Sequence, residues 1–155
     1  MTPAITLLKK HKIPYELLQY DHDSRAASYG AEAAEKLSLD ANDVFKTLVV
    51  RDESATLAVA IVPVNARLSE KKIAKALKVK KVSMADAEQV IASTGYVLGG
   101  VSPLGQKKRL RTVIHESATN KNCIYVSAGK RGLEVAIAPN ALAKLLGATF
   151  ADIHA

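Results

Sequence analysis

The amino-acid sequence predicts a single α+β domain built on a mixed, mostly antiparallel sheet with flanking helices. Three observations support this prediction. The chain has 155 residues, of which 48% are hydrophobic and 24% are charged, and this is enough to bury one core. Segments of strand and helix character alternate, and a polar turn at 52–54 joins two neighbouring strand segments as an antiparallel hairpin. No repeat or linker divides the sequence, so we expect one domain over residues 1–155.

Local signals place the individual elements along the chain. Helices are predicted from capping residues and apolar spacing at 2–12, 30–37, 70–77 with Ser69 as N-cap, 85–92, and from Pro139 to Gly147. Strands are predicted where β-branched and aromatic residues cluster, at 15–20, 44–50, 55–62, 81–82, 112–114, 122–127 and 133–138.

The charge balance favours a polyanionic partner. Twenty-two Lys and Arg residues against fifteen Asp and Glu residues give a formal net charge of +7, which attracts a phosphate backbone. The absence of Trp and the presence of only two Phe and five Tyr argue against single-strand binding on a row of stacked aromatics. No apolar run approaches the ~20 residues of a membrane span, so no membrane partner is expected. A single cysteine fits a reducing compartment, and we expect a cytoplasmic protein.

A glycine-rich segment is the most informative local feature. Its core is Gly99-Gly100-Val101-Ser102-Pro103, and three cations, Lys107, Lys108 and Arg109, follow it closely. Adjacent glycines let a ligand approach main-chain N–H groups, and proline stiffens the loop. Such a loop suits an anion or a developing oxyanion, although a glycine-rich connection without a ligand has the same composition.

Lys46 is out of pattern in the strand predicted at 44–50. Alternation places its side chain on the same face as Val44, Leu48 and Val50. An ammonium group on an apolar face needs a partner, an exit to solvent, or a role in a site. Lys46 is therefore either part of a partly exposed edge strand or a fixed cation projecting into a pocket.

Several chemistries have no support in the sequence. The four histidines and the lone Cys123 lack metal-ligand spacing, so no metal is expected. Cys123 begins an apolar strand and is interpreted as a buried, inert thiol. The glycine segment matches neither the Walker A pattern nor GxGxxG, and no Ser-His-Asp arrangement follows from spacing. The remaining features describe binding and electrostatic stabilisation without a cofactor.

Extended motifs resemble a known family almost from end to end. They are the N-terminal Met1–Ala4, Phe45–Leu48, Ser93–Tyr96, Gly99–Lys108 and Ile124–Leu133. In these segments the chain resembles the YbaK branch of the prolyl-tRNA editing-domain superfamily. The resemblance implies a barrel-like sheet and a free-standing hydrolase that deacylates mischarged Cys-tRNA(Pro). It also implies the acceptor end of aminoacyl-tRNA as substrate and prolyl-tRNA synthetase as a candidate docking partner.

The resemblance also implies the site residues. Lys46 matches the family's essential lysine, and Gly99 to Pro103 match its substrate loop. Tyr20 and Ser127 match positions that line the pocket, and Thr47 adjoins Lys46 in the same motif. On this basis Lys46 and Gly99–Pro103 are the expected catalytic residues, and Tyr20, Thr47, Ser127, Lys107, Lys108 and Arg109 are expected to bind substrate.

The resemblance further implies that the cysteinyl sulfur of the substrate attacks its own ester carbonyl. An aminoacyl ester is already activated, so positioning and oxyanion stabilisation by the amides of Gly100, Val101 or Ser102 would suffice. Two alternatives stay open at this point. One is a non-catalytic module that binds aminoacyl-tRNA or a nucleotide, and the other is an editing hydrolase for another amino acid, such as alanine, with water as nucleophile.

Overall fold

The computed structural model describes residues 1–23, 25 and 29–155. The helices in this part of the chain are α1 (Pro3–Lys10), α2 (Tyr29–Lys36), α3 (Glu70–Leu77), α4 (Ala87–Thr94) and α5 (Pro139–Leu146). The strands are β1 (Glu16–Gln19), β2 (Phe45–Asp52), β3 (Leu57–Pro63), β4 (Val82–Met84), β5 (Arg111–His115), β6 (Ile124–Lys130), β7 (Leu133–Ile137) and β8 (Thr149–Ala151). The interleaved helices and strands confirm the predicted α+β class.

The strands form two sheets. One has three strands in the order β1-β7-β6, and the other has five in the order β4-β2-β3-β5-β8. The pairs β1–β7, β6–β7, β2–β3 and β2–β4 are antiparallel, whereas β3–β5 and β5–β8 are parallel. A parallel bridge between Val44 and Tyr125 joins the two sheets. The predicted mixed, mostly antiparallel pairing is confirmed, and the barrel-like arrangement is two bridged sheets instead of one closed barrel.

The main core lies between the two sheets. Phe45 and Ile61 of the five-stranded sheet share an apolar cluster with Val126 and Val135 of the three-stranded sheet, and all four are buried. Helices α1 and α5 close this cluster with Leu8 and Leu142 among other side chains. Because both sheets and two helices contribute, the core fixes the relative positions of β2 and β6, and residues of both strands border the site described below.

Helix α3 covers the opposite face of β2. Its N-terminus is capped by Ser69, whose side chain accepts a hydrogen bond from the Lys72 backbone N–H at 3.1 Å, and the predicted bounds of this helix are confirmed. The side chain of Ile73 packs against the face of β2 that carries Val50. Alternation along β2 places Lys46 on this same face, where it lines a groove together with the first residues of α3.

Two elements were not predicted from the sequence. They are the strand β8 and the 3₁₀ turn at Glu116–Asn120. Strand β8 has three residues and pairs in parallel with β5, so its formation depends on tertiary contact and not on local alternation. None of the helices in the described residues is long and apolar enough to cross a lipid bilayer.

Candidate active site

A cavity of about 400 Å³ opens where the three-stranded and five-stranded sheets meet. Six of the residues predicted from the sequence line it together: Tyr20, Lys46, Thr47, Gly99, Val101 and Ser127. They come from β2, β6, the end of β1 and the glycine loop, which are far apart in the sequence. The fold therefore brings Lys46 and two residues of the glycine loop, Gly99 and Val101, to one cavity.

Lys46 is a half-buried cation without a counter-ion. Its ammonium group forms no ion pair and no side-chain hydrogen bond with any residue that the structure describes. Burial lowers the pKa of Lys46, and the nearby positive charge of Arg67 lowers it further. An unpaired ammonium group beside a cavity can bind a negatively charged group of a ligand.

Thr47 supplies a second unpaired group. Its Oγ1 atom is buried and has no hydrogen-bond partner among the described residues. Thr47 lines the same cavity as Lys46. A buried hydroxyl without a partner is disfavoured, so this atom is suited to hydrogen bonding with a bound ligand.

The glycine loop is held in place by a clamp that no local sequence pattern predicts. Arg131 donates hydrogen bonds from Nη2 and Nε to the Leu98 carbonyl oxygen, at 2.8 and 3.3 Å. Its guanidinium group also lies 4.2 Å from the centre of the Tyr29 ring, a cation–π distance. Gly99 adopts φ +86°, and a Cβ there would lie 2.5 Å from Arg131 Nε and 2.6 Å from Tyr29 Cε2. The clamp therefore requires glycine at this position.

The backbone donors of the loop are not equivalent. The N–H of Gly100 donates to the Val97 carbonyl oxygen at 3.0 Å, so it is already occupied. The N–H groups of Val101 and Ser102 donate to no group in the described part of the chain. Val101 lines the cavity, whereas Ser102 is buried behind it and accepts a hydrogen bond from the Leu104 N–H through Oγ. Val101 is thus the donor best placed for a ligand.

Other predicted residues lie outside this cavity. Pro103 is buried, and it lines a separate groove of about 340 Å³ between the glycine loop, α1 and α5. The exposed cations Lys107, Lys108 and Arg109 line that second groove as well. They follow the glycine loop in sequence, but the chain turns away after Pro103. A direct role for them at the reacting ester does not follow from this placement.

Glu134 lines the cavity and was not predicted from the sequence. It is 7% exposed, lies opposite Ser127 in the β6–β7 pairing, and forms no ion pair or side-chain hydrogen bond with a described residue. Burial raises the pKa of Glu134 to about 8, so the carboxyl group is largely protonated at neutral pH. Burial, followed by the charge of Glu134, also raises the pKa of Tyr20. The signal was available, because all other residues of β7 are apolar.

The Glu134→Gln variant is expected to be more stable than the unmodified protein, and increasingly so at higher pH. The folded state keeps a proton that the unfolded state releases above pH 4.5, so stability falls as pH rises from 4.5 towards about 8. The slope is at most about 1.4 kcal/mol per pH unit. Urea unfolding of both proteins at pH 5 and pH 8 measures this difference. The exposed Glu70→Gln variant is the control, and a stability gain that is equal at both pH values would contradict the prediction.

One group of described residues brings three possible metal ligands together. Atoms of His115, Asp152 and His154 lie within 4.8 Å of one another. The two imidazole rings are stacked at 4.1 Å with an angle of 28°, so their in-plane lone pairs do not converge on one point. Nδ1 of His115 accepts a hydrogen bond from the Ser117 N–H, and Asp152 pairs with Lys72 at 2.9 Å. This geometry is that of a stacked ion-pair cluster, and it lies apart from the cavity.

Sequence comparison identifies one family model and two similar proteins. A family model described as the aminoacyl-tRNA editing domain matches residues 23–145. EbsC of Enterococcus faecalis, provisionally named a Cys-tRNA(Pro)/Cys-tRNA(Cys) deacylase, is 39% identical over 153 residues, which cover 98% of this chain and 92% of EbsC. The proline–tRNA ligase of Shouchella clausii is 41% identical over 76 residues, which cover 49% of this chain and 13% of the ligase.

Solved structures repeat the fold. A protein described provisionally as a trans-editing enzyme for prolyl-tRNA synthetase superposes with a TM-score of 0.84 at 21% identity, over 100% of this chain and 99% of its own. A hypothetical protein superposes with a TM-score of 0.88 at 24% identity, over 99% of this chain and 100% of its own. Because these identities are below 25%, the superpositions show a shared fold only. The family assignment rests on the sequence matches. The chain belongs to the aminoacyl-tRNA editing domain family.

Proposed function

We propose that the chain is a free-standing trans-editing hydrolase that removes cysteine from mischarged Cys-tRNA(Pro). As a member of the editing family, it is an aminoacyl-tRNA deacylase. The observation that supports the proposal most strongly is that Lys46, a cation without a partner among the described residues, lines the same cavity as the glycine loop. The provisional activity of the EbsC relative points to the cysteinyl ester.

The described lining of the cavity offers stabilisation of charge but no activated protein nucleophile. No histidine lines it, and the one cysteine of the chain, Cys123, does not line it either. The Ser127 hydroxyl accepts a hydrogen bond from the Gly129 N–H. Glu134 lies opposite Ser127 in the β6–β7 pairing, but burial raises its pKa to about 8, so at neutral pH it is largely protonated and is not a ready base for this hydroxyl. Hydrolysis through a covalent seryl or cysteinyl intermediate is therefore unsupported, and the substrate or water has to supply the nucleophile.

The substrate thiol is the nucleophile in the proposed mechanism. The cysteinyl sulfur attacks the ester carbonyl carbon, the new C–S bond closes a four-membered thiolactone, and the C–O bond to the ribose breaks. The proton lost by the thiol ends on the ribose oxygen, so the tRNA leaves with a free hydroxyl group. The Val101 N–H stabilises the oxyanion that forms, and Lys46 stabilises negative charge on the thiolate or the leaving oxygen.

Neutral Glu134 and the unpaired Thr47 hydroxyl complete the proposed pocket. A protonated carboxyl group does not repel the thiolate or the oxyanion, whereas a carboxylate would. Tyr20 and Ser127 bound the pocket on the side of the three-stranded sheet. Lys107, Lys108 and Arg109 are proposed to meet phosphates of the acceptor stem, at a distance from the ester.

Selectivity for tRNA(Pro) is proposed to come from docking on prolyl-tRNA synthetase in the cytoplasm. The likeness to part of a proline–tRNA ligase supports this association, since a related segment occurs within that enzyme. The two alternatives are a module that binds aminoacyl-tRNA without cleaving it, and a hydrolase that uses water on another ester such as that of alanine. The thiol mechanism differs from both because it requires a sulfur atom at a fixed distance from the carbonyl.

A deacylation panel is expected to show turnover of Cys-tRNA(Pro) and little turnover of tRNA(Pro) charged with alanine, serine or proline. Only cysteine carries the sulfur that closes the thiolactone. Release of labelled amino acid is measured with the protein at trace concentration, and the cyclic product is sought by mass spectrometry. Protection of the ester without turnover would support the binding module. Rapid turnover of Ala-tRNA(Pro) would support a water nucleophile.

A further inference from the structure

A third groove, larger than the two already described, adjoins the proposed active site. It has a volume of about 800 Å³ and shares Lys46 and Leu48 with the first cavity. Its other walls come from the turn before α3, the start of α3, and Met84 of β4. Because Lys46 borders both spaces, a ligand whose reactive end lies in the first cavity can continue past Lys46 into this groove.

The groove holds positive charges without counter-ions. Arg67 and Lys71 line it, both are exposed, and neither side chain forms an ion pair or hydrogen bond with a described residue. Lys72, the next residue of the helix, is paired with Asp152 at 2.9 Å, so this surface does form ion pairs where an acid is available. Arg67 is also close enough to Lys46 for their like charges to interact. Cations that repel one another beside an open groove are stabilised when an anion binds there.

The groove also has an apolar side. Met84 is 47% exposed at its wall, and Leu48 lies between the two spaces. A flexible thioether next to a row of cations suits a ligand that alternates flat apolar rings with negative charges. Single-stranded RNA has this alternation, with bases on one side and phosphates on the other. One carboxylate, Glu70, lines the groove, and it is exposed to solvent.

We propose that this groove binds the single-stranded 3′ end of the tRNA, and that Arg67 and Lys71 hold the phosphates that precede the terminal aminoacylated nucleoside. This inference rests on the proposed function, since it requires the ester to lie beside Lys46. It gives the acceptor end a direction across the molecule, from the first cavity past Lys46 towards α3. The cations Lys107, Lys108 and Arg109 lie in a different groove and are left to contact more distant phosphates.

Substrates of increasing length test the direction of the RNA. Cysteinyl-adenosine has no phosphate, a cysteinylated CCA trinucleotide has the phosphates in question, and Cys-tRNA(Pro) has the full acceptor stem. For the Arg67→Ala and Lys71→Ala variants we expect KM for the trinucleotide to rise about tenfold or more, with kcat little changed. The gain in kcat/KM from adenosine to trinucleotide should shrink accordingly. The slope of log KM against log salt should fall by about 0.7 for each lost contact.

The Lys75→Ala variant is the matched control, because Lys75 is an exposed cation of the same helix that does not line the groove. It should behave as the unmodified protein on all three substrates. If the unmodified protein cleaves the substrates but Arg67→Ala and Lys71→Ala leave KM and the salt slope unchanged, the groove does not bind RNA. An equal loss on cysteinyl-adenosine and trinucleotide would also overturn the inference. Failure of the unmodified protein on every substrate would instead refute the proposed function.

Discussion

The Lys46→Met variant is expected to lose deacylation of Cys-tRNA(Pro) by at least about a hundredfold in kcat. The side chain is the one cation that lines the described part of the first cavity, so its removal leaves the thiolate and the leaving oxygen without a nearby positive charge. Methionine fills a similar volume without charge. Single-turnover release of labelled cysteine measures the effect, because it separates the chemical step from binding.

Stability distinguishes this effect from a loss of fold. Burial and Arg67 lower the pKa of Lys46, which means that the folded protein disfavours its charged form. Lys46→Met should therefore unfold at the same temperature as the unmodified protein or a higher one. The exposed Lys75→Met variant is a control for loss of charge alone and should keep its activity. A Lys46→Met protein that turns over at near the original rate would remove Lys46 from the mechanism.

The Gly99→Ala variant is expected to lower kcat about a hundredfold through displacement of the glycine loop. The added Cβ would lie 2.5 Å from Arg131 Nε and 2.6 Å from Tyr29 Cε2, and alanine is strained at φ +86°. Either the clamp on the Leu98 carbonyl opens or the loop moves, and both displace the Val101 N–H. A displacement of about 1 Å at a reacting centre is enough for a loss of this size.

Gly147→Ala is the matched control for backbone strain. Gly147 also has a positive φ, +65°, at the C-terminus of α5, and the nearest atom to its added Cβ is Nη2 at the far end of the Arg109 side chain, at 2.8 Å. Both variants should lose stability on the order of 1 kcal/mol, but only Gly99→Ala should lose kcat. Equal kcat in the two variants would show that the geometry of the glycine loop does not limit the reaction.

Local chemistry explains the elements that the sequence predicted well. Helix α3 was predicted at its observed bounds because Ser69 caps it and its apolar face repeats at helical spacing. The position of Lys46 followed from strand alternation, which is a property of the backbone and needs no knowledge of the rest of the fold. The same reasoning applied to β7 identifies Glu134, whose carboxyl group stands among four apolar residues in a strand of five buried positions.

Contacts between distant segments explain what was missed. The clamp joins Tyr29, Leu98 and Arg131, and none of these residues has a local pattern that predicts the others. Lys107, Lys108 and Arg109 follow the glycine loop in sequence, yet they line a different groove, so the phosphates that they are proposed to contact lie away from the ester. Strand β8 forms only because β5 offers it an edge.

The α+β class, the capped helices, the exceptional lysine of β2 and the glycine-rich loop can be read from the amino-acid sequence, because they depend on periodicity and on the conformations open to single residues. Only the folded arrangement brings Lys46 and Val101 to one cavity, buries Glu134 there so that its pKa rises to about 8, and lets Arg131 hold the loop. Burial and charge proximity are properties of packed surfaces, so they appear only when the two sheets meet.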